Sequence, residues 1–554
     1  MGNVRPAGKR LYFAKVRAPI GGRPKKIRNF HAYMRQTLKH IGLIVLGLAT
    51  GAAATLAFSQ ASAQSATTPL PLEQLRLLAE VFGQIKREYV QPVDDKKLLT
   101  AAIKGMVSSL DPHSSYLDKE EYKELQEQTR GRFAGLGIEI SQEDGLVKVI
   151  TPIEDSPAFK AGLKPGDLIT RIDDKPVRGM TLDQAVKRMR GAPGSKVTLT
   201  IYRKSDERTF PVSIVRAEIR VQSVKGKLLE PGIAYVRITS FQERTVPDLA
   251  KKLQELSKDQ PVKGLILDLR NNGGGILQSA VGVSAAFVQN GATVVTTNGQ
   301  IEDAKQKYTA TFDNYRLSAS PDDPLKGEAP IWKTVPMVVL VNAYSASASE
   351  IVAGALQDSK RALIMGKTTF GKGSVQTVRQ LSPDTALRLT TAYYYTPSGR
   401  SIQSIGIKPD VPVDQNPKGD PDDVLVTREI DYQNHLHNTQ TPDEQKEIDA
   451  RETRRLEELR RLEEENAKKT PEERKKESQE RLPDLGSADD FMLQQAVHQL
   501  KGEPVQRTKS RLEANAGPLP KDAKAAPAAT PAAGAKTDPK TDTVLPAKPA
   551  TDKK

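Results

Sequence analysis

Apolar residues recur at helical spacing where the body of the chain begins. They fall at positions i, i+3, i+4 and i+7, which places their side chains on one face of a helix. The four positions are Leu75, Leu78, Ala79 and Phe82. Asp94 and Asp95 can cap a second helix that runs to Met106, and Asp118 can cap a third. The pattern predicts a helical region over residues 71–129.

The pattern changes after residue 131 to short β-like runs that alternate with turns such as Lys164-Pro165-Gly166-Asp167. We predict strands at 137–140, 146–150, 167–172, 196–203 and 210–215. Two short helices fit residues 157–161 and 182–189. The sequence therefore predicts a small β-rich domain over residues 132–217.

This β-rich segment resembles a PDZ domain through anchors that occur in a fixed order. They are Gly135-Leu136-Gly137-Ile138, Ser156-Pro157-Ala158, Ala161-Gly162-Leu163 and Gly166-Asp167. Glycines free the backbone to aim successive N–H groups at a carboxylate, and the next strand edge can pair with an extended peptide. The resemblance implies a carboxylate-binding turn at Gly135, Leu136, Gly137 and Ile138, with Val186 and Met189 on the helix opposite. The alternative is a glycine-rich turn in an unrelated sandwich.

Strand-like and helix-like runs then alternate through residues 218–413. Strands at 232–238, 265–269 and 337–341 are followed by helices at 246–257, 276–288 and 348–357. Strands this apolar are typical of a sheet covered on both faces, so we predict an α/β core. Two later antiparallel strands fit 374–381 and 387–395, and a polar insertion occupies 299–333.

The two ends of the chain differ from its body. Residues 41–58 are apolar, follow basic residues and precede Ala61-Ser62-Ala63, which is the pattern of a signal peptide. Residues 1–63 are therefore predicted to export the protein to the periplasm, with cleavage after Ala63 or, alternatively, retention as an inner-membrane anchor. Residues 414–502 form a charged helical segment, and the Ala/Pro/Lys-rich residues 503–554 are too poor in large apolar side chains to fold.

The net charge of +15 comes from those ends. Residues 1–40 hold 11 Lys or Arg and no acid, and residues 503–554 hold 10 Lys or Arg against 6 acids. The rest of the chain is balanced, so its charge does not indicate a nucleic-acid partner. The absence of cysteine excludes disulfide scaffolds, thiolate metal sites and a cysteine nucleophile.

Candidate chemistry follows the strand at 337–341. The run Ser345-Ala346-Ser347-Ala348-Ser349-Glu350 joins a buried strand to a helix start, where an α/β sheet can present a nucleophile and helix N–H groups can face an oxyanion. A serine at a helix start can instead be a simple N-cap.

A serine nucleophile needs a base, and no histidine occurs between residues 114 and 434. His113, which we interpret as a structural turn residue, could only be borrowed from elsewhere. A desolvated lysine is the remaining choice. Lys372, in Gly371-Lys372-Gly373-Ser374, is a reasonable candidate, although a glycine-flanked lysine is often a surface turn.

Together these motifs closely resemble the carboxy-terminal processing (tail-specific) serine peptidases. The motifs are 268–275 (DLRNNGGG), 345–350 (SASASE) and 366–373 (GKTTFGKG), behind the PDZ-like segment, with 111–114 (DPHS) and 395–400 (YTPSGR) also familiar. The resemblance covers about residues 72–413 and does not reach the charged segment or the tail. It implies an α+β multidomain fold in which N-terminal helices and a PDZ-like β-sandwich precede an α/β serine peptidase core of βα repeats, with residues 72–129 on that core.

The resemblance also implies a role for each matching residue. Ser347 matches the nucleophile, Lys372 the general base, and Gln376 the residue that orients the lysine. The oxyanion-hole amides fall at Gly274 (or Gly273) and Ala348. The positions that support the site match Asp268, Arg270 and Glu350.

These roles describe an endopeptidase that acylates Ser347 and needs no metal or cofactor. Its expected substrates are proteins or peptides with apolar C-termini, which the PDZ-like domain would hold. A homo-oligomer and an envelope adaptor protein are further expected partners. The alternative, from a different class, is a catalytically silent PDZ adaptor or chaperone scaffold of the cell envelope. A trypsin-like periplasmic protease is disfavoured by domain order and by the missing histidine.

Overall fold

A computed structural model describes residues 71–153, 155–317, 322–417, 426–440, 444–470 and 484–508. The chain divides into two compact units, Met1–Leu98 and Leu99–Lys554. The predicted signal or anchor segment and residues 509–554 of the tail lie outside the described residues. Among the described helices, none is both long enough and apolar enough to span a membrane.

The predicted N-terminal helices are present. They are α1 (Leu72–Glu88), α2 (Asp95–Ser108) and α3 (Lys119–Arg130), with a short strand β1 (Ser115–Leu117) before α3. The Asp118 side chain caps α3 by accepting the N–H groups of Glu120 and Glu121, both at 3.1 Å. Helix α1 has no buried residue, so its apolar stripe is exposed.

The β-rich domain is an antiparallel sheet with two small helices. Its elements are β2 (Arg132–Gly135), β3 (Ile138–Glu143), β4 (Leu146–Pro152), α4 (Pro157–Lys160), β5 (Leu168–Ile172), β6 (Lys175–Pro176), α5 (Leu182–Met189), β7 (Lys196–Arg203), β8 (Arg208–Val215) and β9 (Ala217–Arg220). The sheet order is β3-β4-β5-β7-β8, with β6 paired to β5. Strands β2 and β9, where the chain enters and leaves the domain, pair antiparallel as a separate ribbon.

The core contains a six-stranded sheet in the order β10-β11-β12-β15-β16-β19. Its strands are β10 (Val224–Glu230), β11 (Ile233–Ile238), β12 (Gly264–Asp268), β15 (Met337–Val341), β16 (Leu363–Gly366) and β19 (Val411–Pro412). Strand β10 is antiparallel to β11, and the remaining neighbours are parallel. The loops that follow β12, β15 and β16 therefore leave the sheet at one edge.

Helices cover both faces of this sheet. Helices α6 (Thr245–Ser257), α7 (Leu277–Ala285) and α9 (Ala348–Asp358) bury one face, with Leu265 and Leu267 of β12 in their cluster. Helix α11 (Phe491–Lys501) buries the other face, with Ile266 in its cluster. The C-terminal end of the predicted charged segment is thus part of the core, while its preceding helix α10 (Glu444–Lys468) carries the charged repeats.

A second sheet flanks the first and contains the later antiparallel strands. It has the order β1-β18-β13-β14, with β17 paired to β18. The new strands are β13 (Thr293–Gly299), β14 (Lys307–Thr309), β17 (Ser374–Ser382) and β18 (Thr385–Tyr395). The insertion at 299–333 supplies β14 and the short helix α8 (Phe312–Tyr315), and it buries Tyr315 and Trp332. Strand β1 brings the loop at 111–114 next to β18.

Candidate active site

Ser347 lies between β15 and α9 in a backbone conformation that is unfavourable for a side chain. Its φ is 55° and its ψ is −112°, and such strain costs about 1–3 kcal/mol and persists only where the surrounding structure imposes it. The two neighbouring serines hold the turn in place by hydrogen bonds. The Ser345 hydroxyl donates to Leu269 O at 2.8 Å, and the Ser349 hydroxyl donates to Asn272 O at 2.8 Å.

The hydroxyl of Ser347 differs from those of its two neighbours. It makes no side-chain cap hydrogen bond, although Ser347 occupies the N-cap position of α9 and shares a capping-box arrangement with Glu350. Ser345 and Ser349 are fully buried, whereas Ser347 faces a cleft of about 1150 Å³. Of the three serines in the run, Ser347 is the one whose side chain faces the cleft, and it also occupies the N-cap position of α9.

Lys372 lines the same cleft from the loop between β16 and β17. Its Nζ donates to Gln376 Oε1 and, at 3.3 Å, to Ser374 O. Burial lowers the pKa of Lys372 to about 8, although the charges of Glu429 and Glu350 act in the opposite direction. A substantial fraction of this lysine is therefore a neutral amine at mildly alkaline pH. No hydrogen bond joins it to the Ser347 hydroxyl among the described contacts.

The carboxylate of Glu350 connects the loops of Ser347 and Lys372. Its Oε2 accepts the N–H groups of Ser347 (2.7 Å) and Lys372 (3.0 Å). Its Oε1 accepts the N–H group of Gly371 (2.7 Å) and the hydroxyl of Thr369 (2.5 Å). Burial raises the pKa of Glu350 to about 7, while the four hydrogen bonds favour the ionised form.

Tyr394 makes a second connection between the two loops. Its ring is fully buried, and its hydroxyl lies 3.0 Å from Ser347 O and also contacts Lys372 O. The sequence analysis missed this residue, because nothing in the run of tyrosines at 393–395 distinguishes the one that faces inward.

The predicted oxyanion residues meet beside Ser347. Gly274 has a φ of 100°, and a Cβ atom there would lie 2.9 Å from Ser347 Cβ and 3.0 Å from Ala348 N, so only glycine fits. The N–H of Gly274 donates to Asn272 Oδ1 at 2.9 Å. That amide must exchange its partner before it can stabilise an oxyanion, whereas Ala348 N opens helix α9. Gly273 is exposed.

Asp268 and Arg270 belong to a buried ion cluster behind the 271–275 loop. Arg270 donates to Asp268 (2.7 Å) and to Asp490 (2.6 Å), and Tyr235 OH donates to Asp268 (2.8 Å). The paired charges hold the pKa of Asp268 below and that of Arg270 above the ordinary values, against the effect of burial. Asp490 also caps α11 by accepting the N–H of Leu493 at 3.1 Å. Asp490 was not predicted from the sequence, because it lies far along the chain from Asp268 and Arg270.

His113 has a structural partner. Its Nε2 lies 2.7 Å from Glu429 Oε2. Gln403 donates to Glu429 at 3.0 Å and accepts the N–H of Gly373, beside the lysine, at 2.8 Å. These contacts agree with our interpretation of His113 as a structural residue.

The cleft lies between the core and helix α5 of the β-rich domain. Val186 and Lys187 of α5 and Arg190, which follows the helix, form part of its wall. Lys187 pairs with Glu120 of α3 at 3.1 Å, and Arg190 with Glu127 at 3.5 Å. The predicted carboxylate-binding turn at 135–138 does not line this cleft. Gly137 has a φ of 75°, and a Cβ atom there would lie 2.3 Å from Ser156 Cβ.

Among the described residues, no group of three or more histidine, aspartate and glutamate side chains is arranged to hold a metal ion.

Three family models match the chain in order. Activating protease CtpB N-terminal domain matches residues 46–121, PDZ domain matches 134–214, and Peptidase family S41 matches 232–413.

Curated relatives match most of the same span. A carboxy-terminal-processing protease of Bartonella bacilliformis is 45% identical over 346 residues, which are 62% of this chain and 76% of the relative. The carboxy-terminal processing protease CtpA of Bacillus subtilis is 38% identical over 335 residues, 60% of this chain and 68% of the relative. Among solved structures, a photosystem II D1 C-terminal processing protease is 32% identical and covers 61% of this chain and 92% of its own, with a TM-score of 0.36. That score is too low to support a functional argument.

We predict that Glu350→Gln weakens the connection between the Ser347 and Lys372 loops. An amide has only one acceptor oxygen for four donors, so at least one buried donor loses its partner, at a cost of about 1–3 kcal/mol. The expected result is a lower thermal midpoint and a kcat at least about tenfold lower, because misplaced reactive groups lose rate steeply. Differential scanning calorimetry and steady-state proteolysis measure the two effects.

Glu328→Gln is the matched control for that variant. Burial also raises the pKa of Glu328 to about 7, but its side chain accepts a single hydrogen bond from the described residues, donated by Gln254 at 3.3 Å. Its stability and kcat should stay close to wild type. Equal effects of the two substitutions would contradict a special role for Glu350.

Proposed function

The chain belongs to the carboxy-terminal-processing protease family, with a PDZ domain and an S41 peptidase domain, and we propose that it is a serine endopeptidase with Ser347 and Lys372 as its catalytic dyad. The observation that carries this proposal is that Ser347, whose hydroxyl makes no side-chain cap hydrogen bond, lines the same cleft as a buried lysine whose pKa is lowered to about 8. A neutral amine and a free hydroxyl are the two groups that acyl transfer by this route requires.

The proposed reaction begins with proton transfer from Ser347 Oγ to Lys372 Nζ as the oxygen attacks the peptide carbonyl. The tetrahedral intermediate collapses, and the ammonium of Lys372 returns a proton to the leaving amine. Water then attacks the acyl-enzyme, with Lys372 again as base, and releases the carboxylic acid and the free serine. The dyad must come into hydrogen-bond contact when substrate binds, as is common for sites that tighten in the complex.

A neutral Lys372 already has its two N–H groups placed. Gln376 Oε1 accepts one and Ser374 O is within reach of the other, so the nitrogen lone pair remains for the proton of Ser347. The amides of Gly274 and Ala348 are the proposed oxyanion donors, once Gly274 exchanges Asn272 for the oxyanion. We propose that Asp268, Arg270 and Glu350 act by holding the loops that carry these groups.

We predict that kcat/KM rises with pH through an acid limb near 8, because Lys372 must lose its proton to act as base. Ser347→Ala and Lys372→Ala should each reduce casein cleavage by at least about a hundredfold while the folded state is retained. A limb near 6.5, the ordinary histidine value, or cleavage that survives in Lys372→Ala, would contradict the dyad.

We also propose that the PDZ domain holds the C-terminus of the substrate and that cleavage occurs near that end. The supporting feature is the turn at 135–138, where Gly137 has the positive φ and the close approach to Ser156 that only glycine allows. Helix α5 of the same domain lines the catalytic cleft, so occupancy of the domain can influence assembly of the site.

A peptide with an apolar C-terminal residue should bind full-length Ser347→Ala at least about tenfold more weakly once its terminal carboxylate is amidated, because the amide loses its charge-assisted hydrogen bonds. Gly137→Ala should abolish the difference. Gly145→Ala is the matched control, with a φ of 74° and open space around a new Cβ atom. Isothermal titration calorimetry measures these affinities, and equal binding of the free and amidated peptides would reject carboxylate recognition.

The scaffold alternative makes a different forecast. Purified wild-type protein would then bind C-terminal peptides yet leave every unfolded protein intact. The presence of Ser347 and of a buried Lys372 in one cleft favours the peptidase.

We further propose that the protein is exported to the periplasm through residues 1–63 and meets its substrates in the envelope. N-terminal sequencing of the protein from fractionated cells distinguishes cleavage after Ala63 from a retained anchor. The exposed apolar side chains of α1, including Leu75, Leu78 and Val81, support the proposal of a homo-oligomer, which light scattering tests. Substrates and an envelope adaptor can be captured with Ser347→Ala and identified by mass spectrometry.

A further inference from the structure

A chain of hydrogen bonds extends from Lys372 through Gln376 to the loop at 111–114. Gln376 Oε1 accepts from Lys372 Nζ, and Gln376 Nε2 donates to Thr390 Oγ1 at 3.1 Å and to Ser374 Oγ at 3.0 Å. The Thr390 hydroxyl in turn donates to Asp111 Oδ1 at 3.1 Å. Gln376 and Thr390 are register partners on β17 and β18, so the sheet itself brings them together.

Asp111 is held as a buried carboxylate at the far end of this chain. It is 4% exposed. Its oxygens accept from Ser114 Oγ (2.6 Å), Ser114 N (2.8 Å) and His113 N (2.8 Å) as well as from Thr390. These bonds lower the pKa of Asp111 in spite of its burial. The group is therefore an acceptor only.

An acceptor at one end fixes the direction of every bond in the chain. Because Asp111 can only accept, the Thr390 hydroxyl donates its one hydrogen to it and offers Gln376 a lone pair. The end of the Gln376 amide that faces Thr390 must then be the NH₂ group, so the carbonyl oxygen faces Lys372. An amide turned the other way would present two N–H groups to a lysine and a carbonyl oxygen to a hydroxyl that has no hydrogen left.

We propose that Thr390 and Asp111 are positioning residues of the peptidase, which lock the orientation of the Gln376 amide and thereby keep the lone pair of Lys372 directed away from Gln376 and free for Ser347. This inference rests on the proposed dyad and adds to it two residues that touch neither Ser347 nor Lys372 through a hydrogen bond. A reversed Gln376 would donate to the lone pair that must take the serine proton.

Thr390→Val tests the proposal because valine keeps the shape of threonine and changes no charge. We expect kcat to fall at least about tenfold with KM unchanged, since substrate contacts stay the same. The acid limb of the pH–rate profile should also move to lower pH, because an N–H that points at Lys372 disfavours its ammonium form. A loss of folded protein alone would lower kcat without moving the limb.

The charges that act on Lys372 decide which substitution is informative. Glu429, Glu350 and Asp111 raise its pKa, and Arg388 lowers it. Replacement of Asp111 would therefore shift the acid limb of the pH–rate profile simply by removing a negative charge, whether or not Gln376 turns. Substitutions of Thr390 leave all four charges in place.

Two further variants define the outcome. Thr390→Ser retains the hydroxyl and should restore wild-type kcat and limb. Thr391→Val is the matched control, because the Thr391 hydroxyl bonds Thr377 at 2.7 Å across the same two strands but outside the chain that leads to Lys372. It should behave as wild type. If Thr390→Val does not fold, Thr390→Cys takes its place in the experiment. The same fall in kcat and the same shift of the acid limb are expected, because a thiol is only a weak hydrogen-bond donor and acceptor.

The possible results separate the two proposals. Inactive Lys372→Ala together with an unchanged kcat and acid limb in Thr390→Val would overturn the positioning role and leave the dyad intact. An equal effect of Thr390→Val and Thr390→Ser would also overturn it. Activity that survives in Lys372→Ala would instead reject the dyad on which this inference depends.

Discussion

One buried carboxylate connects the loops that carry Ser347 and Lys372. Glu350 belongs to the first turn of α9, yet three of its four donors come from the loop that carries Lys372. The fourth is the backbone N–H of Ser347 itself. A carboxylate in this position is stabilised by each of the four donors. A neutral amide of the same shape cannot replace it, because only an ionised carboxyl accepts hydrogen bonds at both ends and donates none. The strained turn at Ser347 is therefore held by the same group that places the lysine loop.

The sheet explains why those loops are neighbours at all. Strands β12, β15 and β16 are adjacent and parallel, so their C-terminal ends deliver the 271–275 loop, Ser347 and the path to Lys372 to one edge. Covering the sheet on both faces requires α11, which the chain supplies more than a hundred residues after Lys372. Asp490, the N-cap residue of α11, accepts a hydrogen bond from Arg270, and this contact connects α11 to the loop that contains Gly274.

Local pattern was sufficient to predict much of this architecture. Three elements have the predicted bounds, because neighbouring residues determine their periodicity and caps. They are the strands 196–203 and 337–341 and the helix 182–189. The serine run and the glycine-flanked lysine were likewise visible as motifs. What the sequence could not show were contacts made across the fold, such as Arg270 with Asp490 or Gln376 with Thr390. Those pairs depend on strand register and on helix docking, which no local spacing encodes.

The pairing of β2 with β9 bears on how the PDZ domain can be inserted into, or removed from, the rest of the chain. Arg132 faces Arg220 and Gly135 faces Ala217, so the two ends of the domain lie side by side. A domain whose ends meet can be inserted, removed or exchanged without breaking a strand of the host sheet. The PDZ domain is therefore topologically independent of the six-stranded sheet of the S41 domain, and a short loop could replace it to give a minimal core with its chain order intact.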